Sequence, residues 1–166
     1  MKIGILSDTH NDLPMLQQAL AFFQRQGIQT LIHCGNMTSP ETAVYCQNFT
    51  FIYVHGNMDR SHMAIRQTLF DINPSNVAAN QFTGELIPGV RVAVTHGHIP
   101  GKIESFIAKG YNYIFHGHTH RRRDEIIGGS RIINSGALGG AEHEPRSVCL
   151  LDLKTGYLQF INQSQW

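Results

Sequence analysis

Three short apolar segments alternate with helical patterns in the first third of the chain, and this alternation restricts the fold more than any other feature. The segments 2–6, 30–33 and 51–54 are bounded by polar residues and glycine, as buried strands are. Between them, residues 12–26 carry leucine and phenylalanine at helical spacing, and residues 40–47 begin with proline, as helices often do. Strands that alternate with helices pair in parallel, so we predict a parallel β-sheet here.

The second half of the chain has a different pattern. Residues 81–87 and 90–95 flank a Pro-Gly pair and predict a β-hairpin, and a helix is predicted over residues 101–109. The remaining short strands are predicted near residues 113–115, 124–127, 131–133, 147–152 and 157–161. A parallel half followed by an antiparallel half predicts an α/β fold with two sheets packed face to face and helices outside.

The composition argues against several classes of protein. The formal net charge is +1 and no long run of one sign occurs, so nucleic-acid binding is not indicated. Cys34, Cys46 and Cys149 are too few and too far apart for a disulfide framework. No apolar stretch has the length of a signal sequence or a membrane span. The sequence therefore predicts a soluble cytoplasmic protein with no membrane partner, and it leaves the oligomeric state open.

The segment Ser7-Asp8-Thr9-His10 ends the first predicted strand. An extended or turn conformation places residues i and i+2 on one side, so the Asp8 carboxylate and the His10 imidazole can share one cation. The same pattern occurs in surface turns that bind nothing, so by itself it indicates little.

Histidines are concentrated in one quarter of the chain. Three of them form the segment His116-Gly117-His118-Thr119-His120 at the end of a predicted strand. Imidazoles at alternate positions converge where the backbone is extended, and histidine is a preferred ligand of zinc, manganese, iron and nickel. A polar edge strand could also contain such residues, but their density favours a metal site. His116 lies nearest the strand and is expected to be structural.

Three further strand ends carry groups that a metal ion could bind. His96 and His98 follow one strand, and we expect one of them to bind metal and the other to face substrate or support a ligand. Asn36 and Asn57 each follow a glycine after a strand. Gly-Asn pairs are common in turns, so these two residues are informative only together with the other segments.

The candidate ligands share a position just after a predicted strand. They are Asp8, His10, Asn36, Asn57, His96, His118 and His120. Strand ends of α/β sheets lie on one rim, where such folds place their sites. One ion rarely takes more than about six ligands, so these seven candidates predict two ions. Two neighbouring ions can stabilise both the attacking and the leaving oxygen when a phosphoryl group is transferred. A structural zinc site is disfavoured because no cysteine has ligand spacing.

In order along the chain, these motifs resemble those of the calcineurin-like metallophosphoesterase superfamily. They are Asp-Thr-His, Cys-Gly-Asn, Gly-Asn-Met-Asp, His-Gly-His and Gly-His-Thr-His. The sequence is similar to the small bacterial and archaeal phosphodiesterases and, more distantly, to the scaffold subunit of the retromer coat. The resemblance extends from Met1 to about Asp152 and implies an αββα sandwich, a single domain over residues 1–166, and phosphodiesterase activity.

The resemblance also implies roles for individual residues. One divalent ion would be held by Asp8, His10 and His120, and the other by Asn57, His96 and His118, with Asn36 between the two. Manganese, nickel, iron and zinc all suit such ligands. The residues expected to act directly on a small phosphate-ester substrate are Asp8, His10, Asn57 and His98.

Two positions depart from the family pattern. Asn36 stands where catalytic members usually have aspartate, and an amide brings no charge, so the second ion is expected to bind more weakly. Met58 stands where many members have a histidine that protonates the leaving group. The alternative function is therefore a binding or scaffold protein of the same fold with little or no catalysis, and Asn36 is the residue that separates the two interpretations.

Overall fold

The computed structural model describes residues 1–166 and contains two mixed β-sheets. The first sheet has six strands in the order β11-β10-β1-β2-β3-β4. Its strands are β1 (Lys2–Leu6), β2 (Thr30–His33), β3 (Thr50–Val54), β4 (Val77–Ala79), β10 (Ser147–Asp152) and β11 (Leu158–Asn162). β1 to β4 pair in parallel, and β10 is antiparallel to both of its neighbours. The parallel sheet predicted for the first third of the chain is confirmed.

The second sheet has five strands in the order β5-β6-β7-β9-β8. Its strands are β5 (Phe82–Ile87), β6 (Val90–Val94), β7 (Tyr113–His116), β8 (Arg122–Ile127) and β9 (Ser130–Ser135). The three central strands are parallel, and β5 and β8 are antiparallel edges. The predicted hairpin is therefore present, but the second half of the chain is less antiparallel than its pattern indicated.

The helices lie outside the sheets. They are α1 (Leu13–Arg25), α2 (Pro40–Ala43), α3 (His62–Ile72) and α4 (Lys102–Ala108), with 3-10 turns at Val44–Cys46 and Gln163–Gln165. Asp12 caps α1, because its carboxylate accepts a hydrogen bond from the backbone N–H of Met15 at 3.2 Å. No helix is long and apolar enough to cross a membrane.

The sequence patterns missed α3 and the short strand β4. Only Ile65 and Leu69 on α3 are buried, whereas Met63 and Phe70 are exposed by 65% and 54%. Apolar side chains on the solvent face obscure the periodicity of an amphipathic helix. No hydrogen bond from the Ser61 side chain caps the helix start either, so a second sequence signal is lacking.

Three apolar clusters hold the layers together. The middle cluster lies between the sheets and joins residues of the first sheet, such as Ile5 and Cys149, to Val94, Phe115 and Ile133 of the second. A larger cluster fills the space between the first sheet and α1 to α3, and a small one lies under α4. This confirms the predicted four-layer αββα sandwich.

Candidate metal centre

All seven predicted ligands lie in segments that follow strands of the two sheets. Asp8 and His10 follow β1, Asn36 follows β2, and Asn57 follows β3, all from the parallel part of the first sheet. The remaining three follow β6 and β7 of the second sheet; they are His96, His118 and His120. The facing sheets thus bring the segments to one rim of the sandwich.

The backbone reaches this rim in an unusual conformation. Asp8, His10, Asn36, His118 and His120 all have positive φ angles, between 46° and 70°. Non-glycine residues rarely adopt this left-handed region, and such strain is concentrated at functional sites. The side chains therefore converge through sharp left-handed turns and not through the extended backbone that the spacing suggested.

Asp8 is the anionic centre of the site. Its side chain is fully buried, and its Oδ2 accepts hydrogen bonds from the Ser7 hydroxyl at 2.6 Å and from the backbone N–H of His118 at 3.0 Å. Burial by itself raises the pKa of Asp8, but hydrogen bonds with His10 and His120 lower it, and the net pKa lies well below its ordinary value. The carboxylate is therefore ionised, and its Oδ1 faces the imidazoles.

Asp8, His10 and His120 form a compact donor group. Asp8 Oδ1 lies 3.6 Å from His10 Nε2 and 3.3 Å from His120 Nε2, and the two Nε2 atoms are 3.3 Å apart. His120 Nδ1 donates to the carbonyl oxygen of Ala141 at 2.8 Å, so Nε2 is the ring nitrogen that faces Asp8 and that could bind an ion. The ligand atoms of the three residues all lie within 4.8 Å of one another, close enough to hold one ion.

His96, Asn57 and His118 form a second, neighbouring group. His96 is fully buried, and burial lowers its pKa, so the ring is neutral. Its Nδ1 donates to the carbonyl oxygen of Cys34 at 2.7 Å, and its Nε2 lone pair faces the side-chain oxygen of Asn57 at 2.9 Å. The ring of His118 lies 5.1 Å from that of His96, centroid to centroid.

Asn36 lies between the two groups, with its amide oriented by hydrogen bonds. Its Oδ1 accepts the backbone N–H of Met58 at 2.9 Å. Its Nδ2 donates to Asp8 Oδ1 at 3.1 Å and lies 3.4 Å from Asn57 Oδ1. The side chain that stands at the bridging position thus presents its NH₂ group to the ligand oxygens.

The donor atoms suit a divalent cation. At Asp8, His10 and His120 one carboxylate oxygen and two imidazole nitrogens converge, and neutral imidazole with carboxylate is a common ligand set for first-row metals. At His96 and Asn57 an imidazole nitrogen and an amide oxygen lie 2.9 Å apart, so one cation could lie against both. The Cys34 and Ala141 carbonyls orient the rings from behind, as supporting groups at metal sites do.

Two buried residues that the sequence did not identify as functional hold the turns of the predicted ligands. Asp59 accepts backbone N–H groups from Asn36 at 2.8 Å, Thr38 at 2.7 Å and Gly56 at 2.6 Å. It thereby joins the turn of Asn36 to the turn of Asn57. The only sequence signal was its place in the Gly-Asn-Met-Asp motif.

The second is His33, the last residue of β2. Its Nδ1 accepts the backbone N–H of Gly35 at 3.2 Å, so its Nε2 carries the proton and donates to the Thr9 hydroxyl at 2.8 Å. Burial lowers its pKa to about 4, so the ring is neutral at pH 7. It ties the turn after β1 to the turn after β2.

The other residues singled out in the sequence lie around this centre. His98 is exposed, and its ring lies 5.3 Å from that of His96. Met58 is 46% exposed beside Asn57. His116 is buried as expected, with its Nδ1 3.1 Å from the carbonyl oxygen of Gly117.

A two-sheet sandwich with helices outside and an Asp/His/Asn cluster on one rim is the architecture of metallophosphoesterases. The sequence profile of the calcineurin-like phosphoesterase superfamily domain matches residues 1–156. The chain belongs to this superfamily, which confirms the resemblance of its motifs.

Similar proteins agree with this assignment. A phosphodiesterase of Methanocaldococcus jannaschii is 34% identical over 143 residues, which cover 84% of this chain and 86% of that protein. The solved structure of an archaeal phosphodiesterase has a TM-score of 0.92 at 32% identity, with coverage of 98% and 99%. A zinc complex of Vps29 from Entamoeba histolytica has a TM-score of 0.65 at 18% identity, with coverage of 98% and 99%, and shows the shared fold alone.

Proposed function

We propose that this chain is a metal-dependent phosphodiesterase that acts on small phosphate esters as a single domain. The observation that carries the proposal is the convergence of Asp8, His10 and His120 on one point at the rim. The similarity to two proteins described as phosphodiesterases, at 34% and 32% identity, supports the diester as the substrate class. The buried, unpaired cysteines suit a reducing compartment such as the cytoplasm.

The ligand assignment from the sequence is part of this proposal. Asp8, His10 and His120 would hold one ion, and Asn57, His96 and His118 form the position for a second, with Asn36 between them. A divalent ion bound here supplies a Lewis acid for the phosphoryl oxygens and lowers the pKa of water toward neutrality. Manganese, nickel, iron and zinc all accept this mixture of nitrogen and oxygen donors.

The protein contributes orientation and charge. The Ser7 hydroxyl and the backbone N–H of His118 donate to Asp8 and so fix the orientation of its carboxylate. His98 stands exposed beside His96 and can donate a hydrogen bond to a phosphate oxygen. Met58 lies at the opening of the Asn57 turn and has no proton to give to a leaving group.

A scaffold function is the second candidate, and the orientation of Asn36 favours it. The Asn36 amide donates to Asp8 Oδ1 and so occupies one lone pair of that oxygen. The amide also adds no negative charge that would attract a second cation. A scaffold would retain metal and fold but show no metal-dependent turnover above background. Hydrolysis that depends on the ligand residues would exclude this alternative.

The test is replacement of both His118 and His120 by alanine. We expect the purified variant to lose its transition metal by elemental analysis and to lose hydrolysis of an aryl phosphodiester over a manganese, nickel and zinc series. The exposed His62, replaced by alanine, serves as the matched control and should retain both. Unchanged metal content in the double variant would show that the site assignment is wrong.

A further inference from the structure

The two halves of the metal centre are unequal, and Asn36 is the source of the inequality. The ligand atoms of Asp8, His10 and His120 all lie within 4.8 Å of one another, and one of these ligands is a carboxylate. The half made of Asn57, His96 and His118 has only neutral donors. A second ion there would lie beside the first with no negative charge of its own to offset the repulsion.

The hydrogen bonds of Asn36 fix which end of its amide faces the ligands. The backbone N–H of Met58 can only donate, so the atom that faces it at 2.9 Å must be the amide oxygen. The amide nitrogen then faces Asp8 Oδ1 and Asn57 Oδ1, which are both acceptors. If the amide were rotated by half a turn, its NH₂ group would face the backbone N–H of Met58, and two hydrogen-bond donors would oppose each other whether or not an ion lay beside Asp8.

The side chain has no space in which to move away. Asn36 is 2% exposed, and its backbone N–H is held by the Asp59 carboxylate at 2.8 Å. Asp59 also holds the backbone N–H of Gly56 at 2.6 Å, which presses the glycine against the amide. A Cβ atom on Gly56 would come within 2.8 Å of Asn36 Cγ, so any side chain there would overlap the amide.

We infer that Asn36 acts as a hydrogen-bond donor to Asp8 and Asn57 and not as a bridging ligand, and that the protein therefore holds one divalent ion tightly and a second only weakly. The tight ion belongs to Asp8, His10 and His120. An NH₂ group cannot ligate a cation, and it occupies the space through which a bridge would act. This inference rests on the proposed metal-dependent function and specifies its metal stoichiometry.

The experiment is a titration of the metal-free full-length protein with Mn(II), followed by calorimetry and by electron paramagnetic resonance. For the unchanged protein we expect one ion per chain with the spectrum of isolated Mn(II), and a second ion bound at least about a hundredfold more weakly, equivalent to about 2.7 kcal/mol. In Asn36→Asp the carboxylate can face both ions, so we expect the second affinity to rise at least about tenfold. The spectrum should then become that of a spin-coupled pair.

A matched control and a second measurement separate the outcomes. Asn48→Asp adds the same charge at an exposed position before β3, and it should titrate like the unchanged protein. Metal-free Asn36→Asp should also have a lower Tm than the unchanged protein, because two carboxylates then face each other. Mn(II) should raise the Tm of Asn36→Asp more than that of the unchanged protein or of Asn48→Asp.

Some results would overturn the inference. Two ions of comparable affinity with a coupled spectrum in the unchanged protein would do so, as would an Asn36→Asp variant that titrates like Asn48→Asp. Both results would leave the proposed phosphodiesterase function intact. One tightly bound ion without any diester hydrolysis would overturn the proposed function and leave the stoichiometry standing.

Discussion

The two buried aspartates of the site have different partners. Asp8 faces imidazoles, whereas both oxygens of Asp59 are taken up by backbone N–H groups from two turns. A carboxylate that satisfies several buried donors cannot be replaced without leaving some of them unpaired. Asp59 therefore positions the turns that carry the proposed ligands Asn36 and Asn57.

Replacing Asp59 by asparagine tests this assignment. The amide NH₂ group would face at least one backbone donor, so we expect the free energy of unfolding to fall by about 2–4 kcal/mol. Urea unfolding of the metal-free protein measures this change. Asp71→Asn is the control, because Asp71 is exposed and its one side-chain partner is Gln67. Equal stability of the two variants would show that the backbone hydrogen bonds to Asp59 contribute little to stability.

Met58 leads to a prediction about substrate preference. With no proton donor at this position, an ester with an acidic leaving group should react much faster than one with a basic leaving group. We expect measurable hydrolysis of aryl phosphodiesters and at least about a hundredfold slower hydrolysis of alkyl diesters. Met58→His should narrow that difference, with rates compared at matched metal loading. Equal rates on both classes in the unchanged protein would indicate another acid, and His98 would then be the first residue to replace.

At the scale of elements, the turn after β7 depends on close approach to β1. Gly117 is buried, and a Cβ atom there would lie 2.6 Å from Asp8 Oδ2 and 2.9 Å from the carbonyl oxygen of Cys34. The amide of Asn134 donates to the Gly117 carbonyl at 2.9 Å and to the Thr119 hydroxyl at 3.1 Å. The turn that carries the proposed ligands His118 and His120 is thus held between β1 and β9.

Replacing Gly117 by alanine should disturb both the packing and the metal site. We expect a loss of about 1–3 kcal/mol in the free energy of unfolding from overpacking, and a loss of about tenfold or more in Mn(II) affinity. Gly89→Ala is the control: it lies in the β5–β6 turn with φ of 78° and nothing within 4 Å of the added carbon. It should lose some stability through backbone strain but keep its metal affinity. Equal metal affinity in both variants would contradict the role of the turn.

At the scale of the whole molecule, buried neutral histidines make folding sensitive to acid. Burial lowers the pKa of His33 and of His116 to about 4. Between that pH and about 6.5 the unfolded chain binds protons that the folded chain does not, so stability falls as the pH falls through this window. Each residue contributes in the same direction, up to about 3 kcal/mol.

Replacing His33 by asparagine should flatten this dependence. The asparagine oxygen can still accept the Gly35 N–H, but the variant has no titrating group there. We expect the variant to have a lower free energy of unfolding at pH 7. Between pH 6.5 and 4 its free energy of unfolding should fall less than that of the unchanged protein, by up to about 3 kcal/mol. Urea unfolding of metal-free protein across this range measures both. An unchanged pH dependence would show that His33 titrates normally.

The sequence by itself determined most of the strands and the polar side chains at their ends. β1, β2 and β3 were predicted because each is a short apolar run that ends in polar residues. Such a run indicates a strand that is buried in the core and reaches the edge of the sheet at its polar end. The side chains at those ends were also visible, since histidine and aspartate in ordered motifs limit the chemistry. α3 was missed because Met63 and Phe70 place apolar groups on its solvent face.

Only the tertiary structure decided how those residues face one another. Asn36 and Met58 are 22 residues apart, yet the N–H of Met58 orients the amide and so decides which end faces Asp8. The left-handed turns and the backbone hydrogen bonds to Asp59 likewise arise where separate segments of the chain meet. Periodicity in a sequence reports which side of an element is buried, whereas the pairing of donors with acceptors depends on approach between distant parts of the chain.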